Sequence, residues 1–203
     1  MKLLTKLIWI LFKYKNFIFL KKLFKRIYSE WLGNEFAQAN KMRVDFPVYL
    51  VGGKHIFLGK NFKSNARLRI EAISYYSNYT FTPKIIIGDN VNFNFNVHIG
   101  CINHVNIGNN VLVGSNVLII DHNHGNVNKL DIETPPKHRR LTSKGSIIIE
   151  DNVWIGDNVV IVGNVTIGSN CIVSAGAVVT KSFPPNTVIA GIPAKTLKTL
   201  TDE

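Results

Sequence analysis

The chain has 203 residues, 46% of them hydrophobic, and a formal charge of +11 at neutral pH. That is enough for one domain with a substantial buried core and an appendage. Residues 1–29 hold Lys2, Lys6, Lys13, Lys15, Lys21, Lys22, Lys25 and Arg26 and no acid, so only +3 remains for the rest; with no nucleic-acid-binding motif beside it, this basicity does not argue for a nucleic-acid partner.

The segment Met1–Leu32 mixes Leu, Ile, Phe, Trp and Tyr with recurring lysines. Its longest apolar run, Leu7–Phe12, is far short of the ~20 residues that span a bilayer. The recurring lysines also exclude a signal peptide. On a helical wheel the basic stripe jumps near Asn16, which predicts two amphipathic helices. Aromatic faces flanked by lysines suit an anionic membrane surface, with Trp9, Phe12, Phe17 and Phe19 as inserting groups. The alternative is an arm packed on its own domain or on a neighbouring subunit. Residues 33–55 read as a linker, and 56–200 as one repeat domain with a loop at 121–146.

From Ile85 onward the sequence has a period of six: Ile87-Gly-Asp-Asn-Val-Asn, Ile107-Gly-Asn-Asn-Val-Leu, Val113-Gly-Ser-Asn-Val-Leu, Ile155-Gly-Asp-Asn-Val-Val and Ile167-Gly-Ser-Asn-Cys-Ile among others. A weaker copy begins at Leu58, and two residues are inserted after His104's unit. The aliphatic first position and the small fifth position fill a core. Gly and Asn between them turn the chain, because both tolerate the left-handed region. Three six-residue faces close an 18-residue triangular coil that buries its core only by stacking. This predicts an all-β parallel β-helix. Cys171 takes a small-residue position in it, and with Cys101 shows neither disulfide nor zinc spacing, which fits a reducing compartment.

The repeat stops between Ile120 and Ser146, where Asp121-His-Asn-His-Gly opens a long loop of the kind that carries function. His122, at its mouth, is the candidate general base; His124 is its competitor. Adjacent residues on a strand point to opposite faces, so Asp121 is expected to miss the imidazole, and Glu133 is the better candidate to orient it.

Asp121-His-Asn-His-Gly, Asn152-Val-Trp-Ile-Gly, Ala175-Gly-Ala-Val-Val-Thr-Lys and Ala190-Gly-Ile-Pro-Ala-Lys together resemble the hexapeptide-repeat acyltransferases. Within them the likeness is to galactoside, maltose and nodulation-factor acetyltransferases, and more closely to O-antigen and capsule O-acetyltransferases, over roughly residues 50–200. The resemblance implies a left-handed β-helix and a homotrimer with sites between subunits. It also implies direct transfer from acetyl-CoA to a sugar hydroxyl, with His122 as base and no metal. It places acceptor contacts at Asn65 and, loosely, at Glu71. For acetyl-CoA it implies Trp154, Asp157, Ala175, Thr180, Lys181, Lys195 and Lys198, although relatives commonly carry serine where this chain has Asp157. With the arm, the expectation is a cytoplasmic enzyme on the inner membrane face. N-acetyl transfer, a non-catalytic scaffold, and a zinc site from His98, His104 and His122 are the rivals. The last is hard to build, since six residues separate His98 from His104 and put them on adjacent faces.

Overall fold

The computed structural model describes residues 1–11, 13–126 and 128–200. Three parallel sheets form the sides of a triangular coil. Face A holds Gln38–Asn40, Ile56–Lys60, Lys84–Ile87, His104–Ile107, Ile147–Ile149 and Val165–Ile167. Face B holds Arg43–Val44, Lys63–Ser64, Asn92–Phe93, Leu112–Val113, Trp154–Ile155, Ile172–Val173 and Thr187–Ala190, closed by the antiparallel strand Lys195–Thr199. Face C holds Val48–Val51, Leu68–Ala72, His98–Cys101, Leu118–Ile120, Val160–Val162 and Val178–Val179.

The hexapeptide dictates this shape. First-position residues such as Ile87, Ile107, Ile155 and Ile167 are buried, as are fifth-position Val91, Val111, Val159 and Cys171. The fourth-position asparagines Asn90, Asn110, Asn152 and Asn170 turn corners at φ of 57–60°, a conformation that asparagine tolerates better than most residues. Their amides form a ladder: Asn61 donates to Asn90, Asn90 to Asn110, Asn110 to Asn152 and Asn152 to Asn170, at 3.0–3.2 Å.

The ladder also reads out the insertions. Asn152 and Asn170 are 18 residues apart, one uninterrupted coil, whereas the earlier rungs are 29, 20 and 42 apart. Each excess leaves the coil at the same corner, between faces C and A. These are the segment 73–83 with its hairpin Tyr75–Tyr76/Tyr79–Thr80, the pair Ile102–Asn103, and the long loop before Ile147. The first and third therefore rise from one edge of the molecule.

The N-terminal segment forms α1 (Lys2–Leu11) and α2 (Tyr14–Gly33). Two helices are as expected, with the break slightly earlier than Asn16. The C-terminal half of α2 lies on the first coil. Leu32 is buried, the Val44 N–H donates to Ser29 Oγ at 2.9 Å, and Lys25 pairs with Asp45 at 3.2 Å. The opposite side of α2 leaves Phe17, Leu20, Leu23, Phe24, Ile27 and Trp31 exposed. Phe12, one of the expected inserting groups, lies outside the described residues. The expectation of a linker at 33–55 is corrected. Residues 38–51 make a full first coil that pairs with the second, and the weak hexapeptide signal there hid it. Among the described residues no helix is long and apolar enough to cross a membrane.

Candidate active site

His122 sits where face C ends and the long loop begins. The loop leaves and returns through the antiparallel strands His122–His124 and Leu141–Ser143, which pair His122 with Ser143. The residue is 8% exposed. Asp121, just before it, is 1% exposed and outside any strand. Its Oδ1 lies 3.1 Å from His122 Nδ1 and accepts from the Ile102 N–H at 2.9 Å. Oδ2 accepts from the Asn103 N–H at 2.8 Å. The two-residue insertion thus supplies two backbone donors that hold the carboxylate against the histidine.

This corrects the expectation for Asp121: period-two alternation applies along a strand, and residue 121 is a corner. Glu133 ends an exposed helix in the loop, α3 (Lys129–Glu133), while the imidazole's bond goes to Asp121. Burial alone would raise the Asp121 carboxyl. The hydrogen bonds from His122 and from the Ile102 and Asn103 amides outweigh it and hold the group below its ordinary range. An ionised carboxylate only accepts, so Nδ1 is the ring nitrogen that donates to it, and in the neutral ring Nε2 is left with the lone pair. Among the described residues Nε2 has no hydrogen-bond partner.

On face C, Glu71, Gly100 and Ile120 stack in one row, and Arg69, His98 and Leu118 in the row beside it. A Cβ on Gly100 would stand 3.1 Å from His122 Cε1, so the missing side chain makes room for the ring. Glu71, 8% exposed, receives Arg69 Nε at 2.7 Å and Arg69 Nη2 at 3.1 Å, and lies 2.9 Å from His98 Nε2. Burial pushes its carboxyl up, and the bonds to His98 and Arg69 bring it below the usual range. These residues line a cavity of about 320 Å³ with His122, His124, Tyr76 and the apolar Val51, Ile73, Ile120 and Leu141. Its roof joins the two large insertions. The Tyr76 hydroxyl donates to the Lys137 carbonyl at 2.8 Å and lies 3.3 Å from His124 Nδ1. Arg140 stands over the Tyr79 ring at 5.3 Å. His122 also lines a second, smaller cavity of about 200 Å³ with Lys144, Val162 and Gly163. His122 therefore borders two spaces.

The other expected site residues divide by corner. Thr180 and Lys181 lie on the C-to-A corner that carries His122, two coils further on, or ~10 Å at the usual strand spacing. Lys181 lies over the Phe183 ring at 5.6 Å. Asp157 and Ala175 lie on the B-to-C corner. Asp157 Oδ1 accepts from the Ser115 N–H at 2.7 Å and so caps a rung; the Ala175 N–H has no acceptor among the described residues. Trp154 is exposed on face B, and Lys195 and Lys198 on the strand that closes that face. Asn65 is also on the B-to-C corner, where its amide donates to Asn94 at 3.3 Å; it does not line the His122 cavity. One chain does not unite the two corners into a single groove. His98 and His104 stand on faces C and A, and among the described residues no group of three or more His, Cys, Asp or Glu is arranged to hold a metal ion.

Sequence reasoning missed Arg69, Tyr76 and Gly100. The two-residue insertion, which the sequence pattern places after His104 and the structure at 102–103, was the available signal for Asp121, since a break in a strict period marks backbone that the coil does not use.

A family model for the bacterial transferase hexapeptide, of six repeats, matches residues 146–181. The chain is 36% identical over 159 residues, 76% of its length and 77% of the relative's, to WbbJ of Escherichia coli K12, whose name assigns it to lipopolysaccharide-biosynthesis O-acetyl transfer. It is 33% identical over 164 residues to galactoside O-acetyltransferase of the same organism, covering 78% of this chain and 61% of that one. A shorter match runs to an N-acetyltransferase of Kosmotoga olearia. Among solved structures, a hexapeptide-repeat acetyltransferase from Vibrio cholerae, complexed with acetyl coenzyme A, superposes with a TM-score of 0.54 at 27% identity, over 89% of this chain and 84% of that one. The coil has the left-handed β-helix fold of these transferases.

Proposed function

Since this chain belongs to the hexapeptide-repeat acetyltransferase family, we propose that it moves the acetyl group of acetyl-CoA to a sugar hydroxyl of a surface polysaccharide or its lipid-linked precursor. The observation that carries this reading is His122, which borders two cavities, with Nδ1 tied to a buried carboxylate and Nε2 unpartnered among the described residues. His122 Nε2 takes the proton of the acceptor hydroxyl on the Glu71 side. The alkoxide oxygen bonds to the thioester carbonyl carbon, and the resulting oxyanion collapses with cleavage of the C–S bond. The CoA thiolate leaves and takes the proton back from Nε2. Asp121 stabilises the imidazolium formed in between, as a buried carboxylate does for a base it orients.

Acetyl-CoA would run from the smaller cavity toward Thr180 and Lys181, whose ammonium meets phosphate as a point charge. The Ala175 N–H and the lysines of the last strand would meet it from another chain. A homotrimer with sites between subunits accounts for expected contacts on two corners. The basic, aromatic helices α1 and α2 would hold the enzyme at the inner face of the membrane.

The test is His122→Ala against a panel of glycan precursors, with thiol release as the readout. Transfer should fall at least a hundredfold while acetyl-CoA binding and the melting temperature stay near wild type. Activity above about a hundredth of wild type would refute the base assignment.

A further inference from the structure

The corner between faces A and B breaks its own rule in the first coil. Asn61 and Asn90 turn it in the second and third coils at φ of 60° and 59°, but the first coil turns there on Lys41, at φ 53°. Asparagine tolerates that left-handed backbone better than lysine does. Lysine also has no amide to continue the ladder, and Asn61 Oδ1 accepts no hydrogen bond among the described residues. What the exception supplies is charge. Lys41, Arg43 and Lys63 line a cavity of about 780 Å³ between α2 and the first three coils, larger than either cavity that His122 borders. Arg43 and Lys63 are partners on adjacent strands, at the ~4.8 Å spacing where like charges repel. The one acid in the lining, Glu30, is taken by Arg26 on the same helix at 3.1 Å. Lys41 and Lys63 have no ion pair among the described residues. Arg43 donates only from Nη1, to the Met42 carbonyl at 2.8 Å.

The same cavity offers free acceptors. The amides of Asn34, Asn61 and Asn92 donate to backbone carbonyls or to Asn90, and their side-chain oxygens accept nothing among the described residues. Unpaired cations suit a phosphate, and amide oxygens suit hydroxyls. Among the described residues no aromatic ring lines the cavity to stack a nucleobase, which sets a nucleotide aside. We propose that this cavity binds a soluble sugar phosphate. A phospholipid headgroup carries the same chemistry, but Arg26 and Glu30 lie four residues apart on one face of α2, while the exposed Phe24, Ile27 and Trp31 lie on another. The site does not rest on the acetyl-transfer reading, and its corner carries neither His122 nor Asp157 and Ala175.

The experiment is calorimetry on the full-length protein at matched ionic strength, with glucose 6-phosphate, glucose and inorganic phosphate as probes. Glucose 6-phosphate should bind about tenfold or more tighter than either of its parts. Lys41→Asn restores the residue that the other coils use, so the melting temperature should hold or rise while affinity for glucose 6-phosphate falls about tenfold. The double variant R43Q/K63Q should weaken binding about 100-fold, at about tenfold for each charged contact. Phosphatidylglycerol vesicles distinguish the source of the phosphate, since glucose 6-phosphate should leave vesicle binding unchanged. Displacement from vesicles would assign the cavity to a lipid headgroup and overturn the soluble ligand. Inorganic phosphate binding as tightly as the sugar phosphate would overturn the saccharide. No binding of glucose 6-phosphate, or binding that survives both variants, would overturn the site.

Discussion

Asp121→Asn isolates the part of the site that only the folded chain assembles. The carboxylate accepts three hydrogen bonds, from the Ile102 and Asn103 amides at 2.9 and 2.8 Å and from His122 at 3.1 Å. Asparagine has one accepting atom, so its NH₂ must face a donor at one oxygen position. A buried donor left unpaired costs about 1–3 kcal/mol, which for a chain of this size lowers the melting temperature by roughly 2–12 °C. The effect on chemistry is separate. Loss of a charged partner for the imidazolium, at about 1.5–3 kcal/mol, lowers kcat by roughly 10- to 150-fold. Asp121 borders the smaller cavity assigned to acetyl-CoA but not the one assigned to the acceptor, so the acceptor KM should stay within about twofold. The assay is steady-state thiol release at a temperature well below the variant's melting point, with the melt followed by circular dichroism. A variant with kcat within threefold of wild type would refute the assignment of Asp121 as the group that positions and charges His122. A fall in kcat matched by loss of folded protein would refute it as well.

Gly100→Ala places a Cβ 3.1 Å from His122 Cε1 and 3.3 Å from Ile120 Cγ1; a ring displaced by a few tenths of an ångström should lower kcat about 3- to 10-fold, and unchanged kinetics would show the ring has slack. Asp121 and Glu71 both have carboxyls lowered in the folded state, so their stabilisation is full above the unfolded values of about 4 and is lost as pH falls through the lower folded ones. Melting temperature against pH should bend downward below about pH 4 and be flatter in Asp121→Asn; parallel curves would contradict this. Full-length protein should sediment with phosphatidylglycerol vesicles and release at high salt, since basic residues near an anionic surface contribute about 1 kcal/mol each. Removal of residues 1–13 should weaken that binding without changing the melt, whereas removal of residues 1–32 strips Leu32 and Ser29 from the first coil and should lower the melt. Vesicles ignored by the full chain would leave α2 as a packing element only.

The coil itself was legible because its cause is local and repeated. Ile107-Gly-Asn-Asn-Val-Leu specifies an inward side chain, a left-handed corner and a second inward side chain within six residues, and each copy repeats the instruction. Where the copies weaken, at 38–51, the first coil was invisible, because its strands are held by pairing with the next coil and by α2, contacts that a six-residue window does not contain. His122 was legible from where the period stops. What surrounds it was legible only at Glu71, and there by resemblance alone. Arg69, Glu71 and His98 come from successive coils whose spacing of 29 residues includes a hairpin, so no fixed interval marks them as neighbours. Asp121 points at His122 because residue 121 turns a corner and two amides inserted at Ile102–Asn103 draw its carboxylate inward. Local propensity decides which residues face a core. Which side chains meet across the outside of that core depends on how many residues each corner lets out, and only the stacked coils bring that together.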